Sequence, residues 1–277
     1  MIKISSSPVD PAALRSELRL NKLQTRILDR MAASQTAFSY DSLHQLQFEL
    51  TLRNNIVDSA VALNDSGAAF TSFAKSRCNP VYWRRTEYGG FQLRDGARPS
   101  DAIRDIFTNG FKYAFECSTA MVILLYRAVL SSIGAESFNR LFPDILLYDW
   151  QYGNSLRLTV LTTAETEVLP GDILYFDNPD YDPETPEWRG ENAVFFGNDT
   201  YFGHGIGITS AEEIIRSLNH QRKPGATRSA YLLDEVIRPD FVFLSRYSSS
   251  PTFHPRPIRQ TVHERIGVQI GSTYMEL

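Results

Sequence analysis

The stretch Tyr113-Ala114-Phe115-Glu116-Cys117-Ser118-Thr119-Ala120-Met121-Val122-Ile123-Leu124-Leu125-Tyr126 decides the fold, because a lone cysteine stands where a polar loop becomes an almost wholly apolar helix. A helix that is apolar nearly all round belongs inside a domain. Its continuation to Leu130 therefore predicts a central helix with Cys117 held at its start. Unsatisfied N–H groups and the positive end of the helix dipole gather at such a start and favour thiolate over thiol. Cys117 is thus a candidate nucleophile, with a small buried hydrophobe as the alternative.

Working outward, Asp10-Pro11 opens an amphipathic helix marked by Leu14, Leu18, Leu23, Ile27 and Met31. A second helix is predicted from Asp41, with Leu43, Leu46, Leu50, Val57 and Val61 on one face and Gly67 as its stop. Its polar residues Arg53, Asn54 and Asn55 should face outward or toward a neighbour. Residues 81–94 read as a hairpin turning at Tyr88-Gly89-Gly90, and Ser100 as the cap of a short helix ended by Gly110. Beyond the cysteine helix and a helical piece at 136–141, the pattern changes to strands at 145–150, 156–162, 172–176, 193–196 and 201–208. Ser210-Ala211-Glu212-Glu213 then caps a helix that Pro224-Gly225 breaks. The expectation is one α+β domain over 1–247, helices first, with the nucleophile helix packed on an antiparallel sheet. Residues 248–277, rich in serine, proline and basic residues, are expected to form an extended or disordered tail.

A chain of 277 residues with 43% hydrophobic content can bury a full core. Its net charge of -4 and pI near 5.8 argue against nucleic-acid binding, which needs a basic surface. Two cysteines, Cys78 and Cys117, are too few for a disulfide framework or a metal knuckle and suit a reducing compartment. The apolar run after Cys117 is broken by Arg127 and reads as too short for a membrane span, and the first residues carry no charged-then-apolar leader pattern. Synthesis in the cytoplasm is the expectation. There is no phosphate loop or EF-hand loop, so neither a nucleotide nor calcium has an obvious seat, and no cofactor or metal is expected.

A cysteine nucleophile needs a partner to take and return its proton, usually a histidine that a third group orients. Of five histidines, His204 stands out in Tyr201-Phe202-Gly203-His204-Gly205, where flanking glycines leave room for close approach. A half-buried strand histidine bonded to a carbonyl is the alternative. Glu191, in Trp188-Arg189-Gly190-Glu191-Asn192, can orient His204 or act as the base itself if burial raises its proton affinity. An ion pair with Arg189 or Arg84 is its bland counterpart. Glu116 can serve similarly or merely complement the helix dipole. Trp150, Trp188 and Phe70 are candidate aromatic walls that exclude water from the sulfur, unless they are ordinary core residues.

Taken together, residues 113–120, Leu147-Tyr148-Asp149-Trp150, Trp188-Arg189-Gly190-Glu191-Asn192 and Tyr201-Phe202-Gly203-His204-Gly205 resemble the spore-coat protein-glutamine gamma-glutamyltransferases of endospore-forming bacteria. Pro170-Gly171-Asp172-Ile173-Leu174-Tyr175-Phe176 resembles the Pro-Gly-Asp strand of the wider NlpC/P60 papain-like superfamily. The resemblance implies a papain-like core with extra N-terminal helices and a calcium-independent transglutaminase. In it Cys117 forms a gamma-glutamyl thioester that a lysine amine resolves. It also implies that Glu191 is the main catalytic carboxylate, Glu116 a partial substitute and His204 a supporting residue, with Phe70, Trp150 and Trp188 lining a substrate tunnel. Partners would be proteins offering glutamine and lysine, spore-coat proteins above all, with assembly at the spore coat after synthesis in the mother cell. An NlpC/P60-type peptidase or amidase acting on cell-wall peptides and a non-catalytic coat-assembly protein are the alternatives.

Overall fold

The computed structural model describes residues 1–150, 156–163 and 166–248, together with the backbone of 267–270 and 273–276. The chain opens with β1 (Ile2–Ile4), β2 (Ser7–Pro8), α1 (Pro11–Leu18) and α2 (Lys22–Ala33), and β3 (Phe38–Tyr40) returns parallel to β1. The single first helix read from the sequence is therefore two. Asn21 and Gln24 exchange side-chain-to-backbone hydrogen bonds in a full capping box, and Arg19 turns left-handed with φ 48°. A strong cap inside an apolar period starts a new helix instead of extending the old one.

α3 (Leu43–Asn64) begins at the Ser42 cap and carries the wholly buried Arg53. Its guanidinium donates to Glu49 Oε1 at 2.8 Å and to Asp172 Oδ1 at 2.7 Å, while Arg238 donates to Asp172 Oδ2 at 2.6 Å. Gly171, at φ +89°, lets the chain pass so close that a Cβ there would lie 3.0 Å from the Arg53 Cα. The Pro-Gly-Asp turn thus clamps helix to sheet, with both oxygens of Asp172 answered, as a buried charge requires.

β4 (Ala69–Phe70) precedes the hairpin of β5 (Trp83–Arg85) and β6 (Phe91–Leu93). α4 (Pro99–Thr108) starts one residue before the expected cap: Pro99 is its first residue, and the N–H of Ser100 is taken by the Asn139 side chain at 2.8 Å. β7 (Ala114–Phe115) pairs in parallel with β4 and leads into α5 (Cys117–Leu141), which Gly134, at φ 79°, breaks into two pieces. α5 is longer than the sequence reading allowed: 25 residues, with mean hydropathy 1.5 over its most apolar 18-residue window. By length and composition it can cross a membrane, yet 78% of that window is buried inside the protein, where α3, α4 and β11 pack on it. It is the core helix predicted from its first turns.

β8 (Leu146–Leu147) extends the small sheet of β5 and β6. The main sheet is built from β9 (Thr159–Thr162), β10 (Ile173–Asp177), β11 (Gly190–Gly197), β12 (Thr200–Gly203) and β13 (Gly207–Thr209), then, after α6 (Ala211–His220), from β14 (Tyr231–Leu232) and β15 (Glu235–Arg238). Its order is β13-β12-β11-β10-β15-β9, antiparallel throughout, with β14 also on β10. This is the α+β architecture expected, a nucleophile helix on an antiparallel sheet. The predicted strand 201–208 is instead a hairpin, with His204 in its turn. α7 (Phe241–Ser245) docks on α3. The tail expectation falls largely outside the described residues; within it, β16 (Gly267–Ile270) and β17 (Thr273–Glu276) pair antiparallel.

Candidate active site

Glu116 and Cys117 are the cap and first residue of α5. The Glu116 carboxylate accepts from the Ser118 N–H at 3.0 Å and the Ser118 hydroxyl at 2.5 Å, so it closes the helix end and sets a negative charge beside the sulfur. Cys117 is buried, 2% exposed, and Asn192 Nδ2 donates to its Sγ at 3.4 Å. Asn192 lies on β11 next to Glu191, opposite Tyr175 of β10. The sheet thus delivers both residues to the start of the helix.

Glu191 is fully buried, and neither of its oxygens has a hydrogen-bond partner of normal geometry among the described residues. The ion pair with Arg189 or Arg84 that its neighbours made conceivable does not form. Burial first, and the charge of Glu116 second, push its proton affinity well above the ordinary carboxylate range, with the His204 N–H leaning weakly against the shift. It fits only because Gly203 faces it: a Cβ there would come to 2.8 Å from Oε1 and 2.9 Å from Cγ.

The Cys117 thiol is also pushed up, by burial and then by Glu191 and Glu116, and the two Asn192 N–H groups only partly offset this. The helix start alone suggested a ready thiolate. Desolvation and two nearby carboxylates outweigh the dipole, and the resting group is a thiol.

His204 is buried, and its Nε2 lies 3.3 Å from the Ala69 carbonyl oxygen, to which it donates. Its ring stacks on Phe115 at 4.7 Å and meets the edge of Phe70 at 6.0 Å. Burial drives its pKa down to about 4, against the pull of the Ala69 and Phe115 backbone, so the imidazole is neutral. It does not bond to Cys117.

The aromatic candidates divide between two places. Trp150 borders a cavity of about 270 Å³ over the sulfur, with Glu116, Asp149, Tyr175, Arg189 and Glu235 among its other walls. Phe70 and Trp188 pack on each other at 5.0 Å, on the side where His204 lies. Gly205, at φ +106°, makes room for that group, since a Cβ would meet the Phe70 ring at 2.6 Å. Glu191 joins the two places, with Asn192 on the cavity side and the His204 amide on the other. Asn192, Tyr175, Asp149 and Glu235 escaped the sequence reading. For Asn192 the signal was present, a side-chain amide one residue after the candidate base; for Glu235 it required knowing that β15 lies beside β10.

Among the described residues no cluster of histidine, cysteine and carboxylates can hold a metal ion. The arrangement is a buried thiol, a buried carboxyl of high proton affinity and an amide donor on the sulfur, which is equipment for nucleophilic acyl chemistry.

Comparison with known proteins gives that chemistry a family. The family model described as protein-glutamine gamma-glutamyltransferase matches residues 1–248. A protein-glutamine gamma-glutamyltransferase of Bacillus cereus (strain G9842) is 45% identical over 252 residues, covering 91% of each chain. One from Bacillus pumilus (strain SAFR-032) is 44% identical over 250 residues, 90% of this chain and all of that one. The solved transglutaminase of Geobacillus stearothermophilus, without its C-terminal extension, superposes with TM-score 0.72 at 50% identity, covering 75% of this chain and 99% of its own. The chain belongs to the protein-glutamine gamma-glutamyltransferase family.

Proposed function

We propose that this transferase runs its reaction through Cys117 with Glu191 as the proton carrier. The observation that carries this reading is the fully buried Glu191 carboxyl, whose oxygens have no hydrogen-bond partner of normal geometry among the described residues and whose charge raises the proton affinity of a buried thiol that Asn192 contacts. The Cys117 sulfur attacks the side-chain carbonyl carbon of a glutamine, and its proton passes to Glu191 and on to the departing nitrogen, which leaves as ammonia. The product is a gamma-glutamyl thioester. A lysine amine then attacks the same carbon, gives its proton to Glu191, and the isopeptide forms as the sulfur leaves and regains a proton. The Cys117 N–H at the helix start and the Asn192 side-chain amide are donors beside the sulfur for the oxyanion of either step. Glu116, held by Ser118, keeps Glu191 basic by its charge, and His204, tied to Ala69, holds the β12–β13 turn against the wall of the site.

Proteins offering glutamine and lysine are the substrates of the family. Spore-coat proteins, and work at the spore coat after synthesis in the mother cell, are our reading for this chain, supported by its motifs and by its Bacillus relatives. The test is labelled-amine incorporation into a glutamine donor, with chelator present. Cys117→Ala abolishes it, and Glu191→Gln lowers kcat by about a thousandfold, within the range that losing a positioned proton carrier removes. Full activity in Glu191→Gln with loss in His204→Asn would reverse the assignment. Cleavage of cell-wall peptides by wild type, without amine incorporation, would select the peptidase alternative.

A further inference from the structure

We propose that the Asp149–Glu235 side of the Cys117 cavity admits the acceptor amine, and that Glu235 selects for its positive charge. This rests on the thioester mechanism above. The strand β15 alternates: Val236 is buried and Arg238 reaches back to Asp172, whereas Glu235 and Ile237 border the cavity over the sulfur. Glu235 is exposed, and among the described residues neither its carboxylate nor that of Asp149 is held in an ion pair. Among the described residues that line the cavity, three carboxylates, Glu116, Asp149 and Glu235, accompany one guanidinium, Arg189. The two substrates differ in the property this wall reads. A glutamine carboxamide is neutral, whereas a lysine arrives as an ammonium on an apolar stem. An outer carboxylate pair attracts the ammonium, the Trp150 and Ile237 surfaces take the stem, and the ammonium gives up one proton to solvent at the mouth before the neutral amine reaches the thioester carbon.

The experiment compares a cationic acceptor, a labelled cadaverine, with hydroxylamine, which is small and uncharged at mildly alkaline pH, at a saturating neutral glutamine peptide. For each acceptor kcat/KM is measured, and the ratio of the two is followed. In Glu235→Gln the cadaverine-to-hydroxylamine ratio falls about threefold and in Glu235→Lys roughly tenfold, the size expected for an exposed charge contact removed and then reversed. Added salt lowers the ratio of the wild type but not that of Glu235→Gln. An unchanged ratio in both variants overturns the proposal, as does a rise in the KM of the glutamine peptide in place of the amine effect. Hydroxamate formation by wild type separates the two levels: if it is present, an unchanged ratio sinks only the role of Glu235; if it is absent, the thioester reading itself fails.

Discussion

Gly203→Ala is the smallest change that should disable the site without touching any group proposed to react. The new methyl carbon would lie 2.8 Å from Glu191 Oε1, 2.9 Å from Cγ and 3.1 Å from Cδ, so restoring an ordinary contact of 3.4 Å displaces the carboxylate by about 0.6 Å. Glu191 is fully buried on a central strand, paired with Phe176 on β10, and has little space into which to retreat. A displacement of 1 Å at a reacting group can cost about a hundredfold in rate, so 0.6 Å should lower kcat about tenfold. The overpacking should also cost about 1–2 kcal/mol of stability. The assay is amine incorporation together with urea unfolding, for Gly203→Ala in the wild-type and Glu191→Ala backgrounds. If the carboxylate is what the methyl group strikes, the stability loss disappears in the Glu191→Ala background. Equal destabilisation in both backgrounds, or a wild-type kcat in the single variant, would refute the argument.

Two further predictions concern buried charge. His204, neutral in the folded protein with its pKa near 4 against an ordinary 6.5, binds a proton first in the unfolded chain as pH falls, so stability declines between pH 6.5 and 4 by about 3 kcal/mol. Urea midpoints across that range should lose this acid-side slope in His204→Asn, and a slope unchanged by the substitution would show that another group titrates. Asp172→Asn leaves the Arg53 and Arg238 guanidinium groups buried with one charge partner fewer, and should cost about 3–5 kcal/mol by chemical denaturation while Asp101→Asn, in an exposed pair, costs little.

The core helix was legible because burial writes itself as uninterrupted apolar sequence: from Ala120 to Val129 only Arg127 interrupts the run, and only that residue reaches the edge of the core. The strands were legible in type but not in extent. The 201–208 segment alternates like one strand, yet glycines at 203, 205 and 207 carry the chain through a turn, with φ +106° at Gly205 and +97° at Gly207. Glycine frees a strand to bend as readily as it makes room in one, so a pattern of alternation could not choose. Arg53 sits on the apolar period of α3, but its burial depends on Asp172 and Glu49, and Asp172 lies 119 residues away. For the site, Cys117, Glu116 and Glu191 could be named from local context, and the division of the aromatic residues could not. Which of them borders the sulfur depends on β15 pairing with β10 and on β8 meeting α5, which are long-range contacts.

The least legible property was the charge state of the nucleophile, and it bears most on how transfer prevails over hydrolysis. Reading the helix start alone gives a thiolate waiting for substrate. Burial of Cys117 to 2% exposure beside Glu191 and Glu116 gives a protonated thiol and a proton-seeking Glu191 carboxylate. A permanent thiolate is the form that oxidises and reacts without selection. On the mechanism proposed here the thiolate exists only while Glu191 holds its proton, and that occurs once a carboxamide fills the cavity. The burial of the sulfur then protects the thioester. Water arriving at the sulfur has no apolar stem for the Trp150 and Ile237 surfaces to hold, whereas a lysine amine brings one. Acyl transfer is therefore favoured by what surrounds Cys117, namely Asn192 on the sulfur, Glu191 against Gly203 and Trp150 at the mouth, more than by any unusual acidity of the thiol itself.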